Sequence, residues 1–163
     1  MNYLIIFSTI CLSAFVGNIL AKKYVYRDLF FNEVIKFFMR VKNNVEFWKI
    51  KIEDIFNEFE KSDEGKFKSV ILDLKKIITN SQEVDQGSLN KLSFLSLEEK
   101  NNIINFLKGA SETNEKNFCE NINIFLKWLE EKKNNAYSER IKNVGTVYKL
   151  SVAVGLTFGI LII

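Results

Sequence analysis

The first 21 residues of the chain contain no charged side chain. An α-helix needs about 20 consecutive apolar residues to cross the hydrocarbon core of a bilayer, so residues 1–21 fit a single membrane span. Lys22 and Lys23 follow directly and Arg27 comes four residues later, whereas no charged side chain precedes the run. Because positive flanks favour the cytoplasmic side, the sequence predicts that the N-terminal end lies outside and that the chain enters the cytoplasm after Ala21.

Two other interpretations of the same run are a cleaved secretory signal and a buried core helix. A signal peptide carries positive charge ahead of its apolar run and ends in a small-x-small cleavage motif. Residues 1–3 supply no side-chain charge, and residues 18–21 lack that motif. The pattern therefore favours a retained anchor over a signal peptide, and the length of the run favours it over a core helix.

A second apolar run follows at residues 144–163, where Lys149 is the only charged residue. These 20 residues suffice to span a membrane, and the long stem of Lys149 lets its ammonium group reach the interface. Arg140 and Lys142 precede the run and place its start on the cytoplasmic side, in agreement with the first span. An amphipathic or core helix is the alternative, but the run has no polar face to expose to water.

These runs predict three parts: a transmembrane helix over residues 1–21, a cytosolic helical bundle over residues 22–143 and a transmembrane helix over residues 144–163. Both ends of the chain would lie outside the cell membrane. The middle part holds all 20 acids and 22 of the 23 bases. Its net charge of +2 is too small and too interspersed for a nucleic-acid surface. The chain has no proline and seven glycines, which favours long helices and an all-α fold.

Apolar residues recur three or four positions apart along the middle part, which is the period of an amphipathic helix. One helix following the longest stripe would be too long for a small domain, so we expect a bend near residues 48–51. The longest stripe comprises Phe30, Val34, Phe37, Val41, Val45, Trp48, Ile52, Ile55 and Phe59, and later stripes comprise Phe67, Val70, Ile71, Leu74, Ile77 and Ile78, then Ile103, Ile104, Phe106 and Leu107, then Phe118, Ile122, Phe125 and Leu129.

Polar residues and glycines between the stripes predict where the helices begin and end. We expect a turn at residues 62–65, a surface loop at residues 80–88 and a short helix at residues 88–95. Ser96 with Glu99 three residues later forms a predicted capping box that starts the next helix. Gly109 is expected to end that helix. Ser111, Thr113 and Asn114 offer N-caps for the one that follows.

The two predicted spans carry small residues four positions apart, a spacing that lets helix backbones approach closely. Ser13 and Gly17 form this pair in the first span, and Gly155 and Gly159 form it in the second. Measured from the flanking lysines, the two pairs lie at similar depths in the membrane. We therefore predict that the spans pack as a hairpin through these four residues.

The residue types present restrict the chemistry that the chain can perform. The sequence contains no histidine, which excludes Ser-His-Asp and Cys-His catalysis and every histidine-ligated metal site. Its two cysteines, Cys11 and Cys119, lie far apart in unlike surroundings and predict neither a disulfide nor a metal site. No glycine-rich phosphate loop occurs. We predict no catalytic, cofactor-binding or metal-binding residue, and a protein that is not an enzyme.

The pattern as a whole resembles the stage III sporulation protein AB family. Residues 20–23 are similar to the basic cluster that closes the span in that family, and residues 45–56 to a segment that breaks one helix and begins another. Residues 109–112 stand where the family has a Gly-x-Ser-Asp turn, and Tyr148 and residues 154–163 match its close. The chain departs from the family at residues 48–51, which replace its Gly and Pro, and at Glu112, which replaces Asp.

The resemblance implies a platform component of the channel-like apparatus between mother cell and forespore, similar to the inner-membrane platform protein of type II secretion systems. It implies a cytosolic ATPase, stage III sporulation protein AA, and other channel components as partners. A two-span membrane sensor, or another membrane-anchored helical interaction module, is the alternative function. A sensor normally carries its stimulus-binding domain outside, whereas the flanking bases place this one inside. The sequence leaves open whether the protein forms a homo-oligomer.

Overall fold

The computed structural model describes residues 2–48, 50, 52–61, 65–79, 89, 91–112 and 115–161. These residues contain five α-helices and no β-strand, so the all-α prediction is confirmed. The helices are α1 (Asn2–Trp48), α2 (Ile52–Lys61), α3 (Lys68–Thr79), α4 (Leu97–Glu112) and α5 (Glu115–Leu161). The chain divides into two compact units, of which unit 1 is Met1–Asp28 with Asn134–Ile163 and unit 2 is Leu29–Lys133.

The core of unit 2 follows the apolar stripes of the sequence. Phe30, Val34 and Phe37 are buried on α1, and Ile55 and Phe59 are buried on α2. The stripe of α5 is also buried from Phe118 to Leu129. Helix α1 ends at Trp48 and α2 begins at Ile52, which confirms the break expected near residues 48–51. Trp48 differs from the expectation, because it lies 75% exposed at the end of α1 instead of in the buried stripe.

Phenylalanine rings connect α1 to the other helices of unit 2. The Phe37 ring centroid lies 4.8 Å from that of Phe56 and 4.9 Å from that of Phe59, both on α2. Phe38 lies edge-on to Phe125 of α5 at 5.1 Å and to Phe106 of α4 at 5.6 Å. Such pairs contribute about 0.5–1.5 kcal/mol each beyond burial of their surface. The high phenylalanine content therefore serves mainly to build this core.

A glycine turn and a glutamate fix the start of α3. Gly65 has a φ of 97°, a left-handed conformation that glycine adopts without steric cost. The Glu33 carboxylate of α1 accepts hydrogen bonds from the backbone N–H groups of Lys66 at 3.0 Å and Phe67 at 2.8 Å. A carboxylate is favourable there because the N–H groups at a helix start lack partners within the helix. The predicted residues 62–64 of this turn, and the predicted loop at 80–88, lie outside the described residues.

The predicted capping box at the start of α4 is confirmed. The Ser96 N–H donates to Glu99 Oε2 at 2.9 Å, and the Glu99 N–H donates to Ser96 Oγ at 3.1 Å. Of the predicted short helix at residues 88–95, the structure describes Leu89, which is helical, and residues 91–95, which form turns and not an α-helix. The N–H groups of Leu92 and Leu95 instead donate to carbonyls three residues earlier, and these turns bury leucines at a spacing of three.

The predicted end of α4 at Gly109 is wrong, because α4 continues to Glu112. Gly109 lies in the helix with nothing within 4 Å of the position that a Cβ atom would take. A single exposed glycine costs a helix only about 1 kcal/mol, which its other contacts can offset. Ser111 therefore belongs to α4, whereas the other two N-cap candidates, Thr113 and Asn114, lie outside the described residues.

Candidate functional site

Unit 1 is built from the N-terminal part of α1 and the C-terminal part of α5, which lie against each other. Gly155 approaches Ser13, and Gly159 approaches Thr9. Gly17 approaches Ser151, so contacts that advance along α1 move back along α5. The two segments are therefore antiparallel within this unit.

The two helices approach each other closely at three glycines. A Cβ atom added to Gly155 would lie 2.9 Å from the Ile10 Cα and 3.0 Å from the Ser13 Cβ. One added to Gly159 would lie 3.0 Å from Thr9 Oγ1, and one added to Gly17 would lie 2.6 Å from the Ser151 Cβ. A larger side chain at these positions would push the backbones apart, as in other small-residue helix interfaces.

The four small residues singled out in the sequence thus do not all face one another. Gly155 lies opposite Ser13, whereas Gly17 lies opposite Ser151 and Gly159 lies opposite Thr9. Sequence reasoning missed Ser151 and Thr9, although each lies four residues from a predicted position on its own helix. That four-residue repeat was the signal that would have extended the interface by one turn in each helix.

Polar groups also link the two helices. Ser13 Oγ donates a hydrogen bond to the Ser151 carbonyl oxygen, and the Tyr148 hydroxyl donates to Asn18 Oδ1 at 3.1 Å. Ser151 Oγ donates to the Val147 carbonyl of its own helix at 2.7 Å. Hydrogen bonds between helices in a membrane contribute about 0.6 kcal/mol on average. They therefore fix the relative orientation of the two helices more than they strengthen the association between them.

The faces of these segments that point away from the contact are apolar and exposed. Phe7, Leu12 and Phe15 on α1 are 64–68% exposed, and Phe158 and Ile160 on α5 are 58% and 68% exposed. Two helices, Ile6–Trp48 and Asn117–Leu161, are long and apolar enough to cross a membrane by length and composition. Their most apolar windows are only 11% buried, whereas a core helix of a soluble protein would be mostly buried. The helices therefore indicate membrane association.

Two ion pairs join the helices next to these apolar segments. Arg27 binds Glu139, and Arg140 Nη1 lies 2.8 Å from Asp28 Oδ2. The Asp28 side chain is only 3% exposed, and its Oδ1 atom has no hydrogen-bond partner within the described part of the chain. The predicted topology-setting residues thus fall into two groups. The arginines Arg27 and Arg140 are paired with acids, whereas Lys22, Lys23, Lys142 and Lys149 are exposed.

The remaining chemistry-bearing residues that the structure describes do not form a cluster typical of an active site. Among the described residues, no group of three or more His, Cys, Asp or Glu side chains is placed to hold a metal ion. Cys11 is an exposed free thiol, and Cys119 is half-buried. An aromatic groove of about 400 Å³ lies between α4 and α5 in unit 2, where the Phe106 and Phe125 rings stack at 3.9 Å and Ile124 and Trp128 line the wall.

An antiparallel pair of apolar helices closed by small residues, with an all-helical unit enclosed in sequence between them, defines a membrane-associated helical protein. The chain belongs to the stage III sporulation protein AB family, which matches residues 2–163 and so nearly the whole sequence. The family resemblance of the sequence is thereby confirmed, and the protein has a role in sporulation. The family is a sporulation component and not a known enzyme family. No curated protein and no solved structure matches the chain significantly.

Proposed function

We propose that this protein is a non-enzymatic platform that holds a cytosolic ATPase at the membrane during sporulation. Its helices α1 and α5 would cross the cell membrane over residues 1–21 and 144–163, with both ends of the chain outside. Residues 22–143 would form the cytoplasmic bundle. The observation that carries the proposal is the close antiparallel contact at Gly17, Gly155 and Gly159, beside exposed apolar faces that suit lipid.

The geometry favours a membrane-anchored protein that binds a partner over an enzyme. The hairpin ends in paired charges at Asp28 and Arg140, and the chain continues from there into a bundle whose interior is filled by phenylalanine rings. A filled core with charged helices outside offers surface to another protein. The chain itself carries no phosphate-binding loop, so energy for the sporulation complex would come from a partner.

We take that partner to be the sporulation ATPase stage III sporulation protein AA, together with other channel components, as the resemblance of the sequence to this family implies. The test is co-purification of the full-length chain, in detergent, with that ATPase, against an unrelated cytosolic ATPase as the control. The platform proposal predicts retention of the first and not of the second. Retention of neither, with the chain folded and membrane-bound, would contradict it.

A matched pair of substitutions locates the docking face. Ile124 on the aromatic groove is 69% exposed, and Leu97 at the start of α4 is 70% exposed. Ile124→Lys and Leu97→Lys therefore place the same charge on equally accessible positions without disturbing the core. If docking uses the groove, ATPase retention falls for Ile124→Lys and persists for Leu97→Lys.

A further inference from the structure

Unit 1 carries more basic than acidic side chains, so part of its positive charge is not neutralised within the unit. Its only two acidic residues are Asp28 and Glu139, and each is in an ion pair with an arginine. The unit then has no acidic side chain left for its other bases. These are four lysines, all with exposed side chains: Lys22, Lys23, Lys142 and Lys149.

The four lysines lie in one band along the paired helices. On α5, Lys142 and Lys149 are seven residues apart, which is about 10 Å at 1.5 Å per residue. On α1, Lys22 and Lys23 lie between Gly17, which faces Ser151, and Arg27, which binds Glu139. Because the helices are antiparallel, Lys142 and Lys149 of α5 also lie between the contact at Gly17 and the ion pair of Arg27. All four lysines therefore occupy the same stretch of the helix pair.

This band borders the apolar surface of the unit. Leu20 and Leu150 are 52% and 59% exposed, and the apolar faces continue from them toward the two ends of the chain. Tyr148, 43% exposed, lies in the band itself. Tyrosine has an apolar ring with a polar hydroxyl, and lysine has a long apolar stem with a charged end. Both side chains therefore suit the boundary between hydrocarbon and headgroups.

We propose that Lys22, Lys23, Lys142 and Lys149, here called the lysine collar, bind the phosphate headgroups of anionic phospholipids such as phosphatidylglycerol. The proposal rests on membrane insertion of the hairpin as described under the proposed function. A lipid phosphate supplies the negative charge that the unit lacks, at the depth where the apolar faces end. Each lysine close to an anionic membrane surface strengthens binding about fivefold, so four together give a clear preference.

The experiment is native mass spectrometry of the full-length protein in detergent with equal amounts of phosphatidylglycerol and phosphatidylcholine. We expect wild type to retain phosphatidylglycerol at least tenfold over phosphatidylcholine, and the preference to decline as salt is raised. The variant K22Q/K23Q/K142Q/K149Q should retain both lipids equally. The variant K22R/K23R/K142R/K149R should keep the preference, because the charge is preserved.

The matched control removes four exposed lysines of unit 2, in K36Q/K61Q/K91Q/K127Q, and should leave the lipid preference unchanged. An equal loss in this control would overturn the collar, because net charge alone would then explain it. If the quadruple collar variant does not accumulate, K22Q/K23Q and K142Q/K149Q each remove half of the collar, and an undiminished preference in both overturns the proposal. Displacement of phosphatidylglycerol by equimolar soluble glycerol phosphate would overturn the lipid as the source of the phosphate.

Reconstitution into pure phosphatidylcholine nanodiscs separates this inference from the proposed function. The hairpin should insert there as it does in anionic nanodiscs, because the apolar faces drive insertion. Insertion with no headgroup preference would overturn the collar and leave the platform proposal standing. Failure to insert in either lipid would overturn the membrane hairpin and the collar with it.

Discussion

The buried carboxylate of Asp28 is stabilised by an ion pair with a single arginine, Arg140. The carboxylate accepts a hydrogen bond from Arg140, whose side chain is 43% exposed, while the Asp28 side chain is 3% exposed. Removing the arginine leaves a buried carboxylate without its ion-pair partner, whereas removing the aspartate leaves an arginine that water can hydrate. We therefore expect Arg140→Gln to destabilise the protein more than Asp28→Asn does.

The expected loss for Arg140→Gln is about 2 kcal/mol, less than for a fully buried pair because solvent screens Arg140. That corresponds to a fall in the thermal midpoint of about 4–8 °C for a chain of this size, measured by circular dichroism of the full-length protein in detergent. The double variant D28N/R140Q should recover part of the loss. A larger loss in the double variant than in Arg140→Gln alone would contradict this account.

Substitution by alanine should lower the stability of unit 2 at Gly65 and raise it at Gly109. Gly65 has a φ of 97°, and a Cβ atom there would lie 2.7 Å from Glu33 Oε2, so Gly65→Ala should destabilise unit 2 by about 1–2 kcal/mol. Gly109 is helical, and a Cβ atom added to it would have nothing within 4 Å, so Gly109→Ala should stabilise unit 2 by about 0.5–1 kcal/mol. Both tryptophans, Trp48 and Trp128, lie in unit 2, so their fluorescence during thermal unfolding measures both effects. Shifts of the same sign would refute the argument.

At the scale of helices, Gly155 and Gly145 offer a matched comparison on α5. A side chain at Gly155 would meet Ile10 and Ser13, whereas a Cβ atom added to Gly145 would have nothing within 4 Å. Gly155→Leu should therefore separate α1 from α5, and Gly145→Leu should leave the contact intact. The measurement is oxidative crosslinking of Ser13→Cys with Ser151→Cys, in a background where Cys11→Ser and Cys119→Ser remove the native thiols. We expect the crosslinked fraction to fall several-fold for Gly155→Leu only, and equal crosslinking in both would count against helix packing at this site.

Local signals in the sequence predicted the helices better than the contacts between them. The stripes of α1 and α5 and the capping box of Ser96 with Glu99 depend on residues a few positions apart, and the structure has them as expected. The pairing of Asp28 with Arg140 depends on the register of two segments 112 residues apart, which no local pattern encodes. Sequence reasoning therefore assigned Arg140 to topology and did not predict a partner for it. Periodicity likewise placed Trp48 in the core because it does not show where a helix ends.

At the scale of the whole molecule, the orientation in the membrane decides which compartment unit 2 occupies. The four collar lysines lie at one end of the apolar segments, and positive charge favours the cytoplasmic side. We therefore expect Lys91→Cys, at an exposed position of unit 2, to react with a membrane-impermeant maleimide only after cells are permeabilised.

Asn2→Cys, at the other end of the first predicted span, is the matched control and should react in intact cells. Both variants carry Cys11→Ser and Cys119→Ser, so a single thiol reports in each case. Labelling of Lys91→Cys in intact cells would place unit 2 outside, where a cytosolic ATPase cannot reach it. Because unit 1 has four exposed lysines and both of its acids are paired with arginines, reversing the orientation would require moving this positive charge across the hydrocarbon core. The four collar lysines would thus keep unit 2 in the cytoplasm, where its proposed ATPase partner is made.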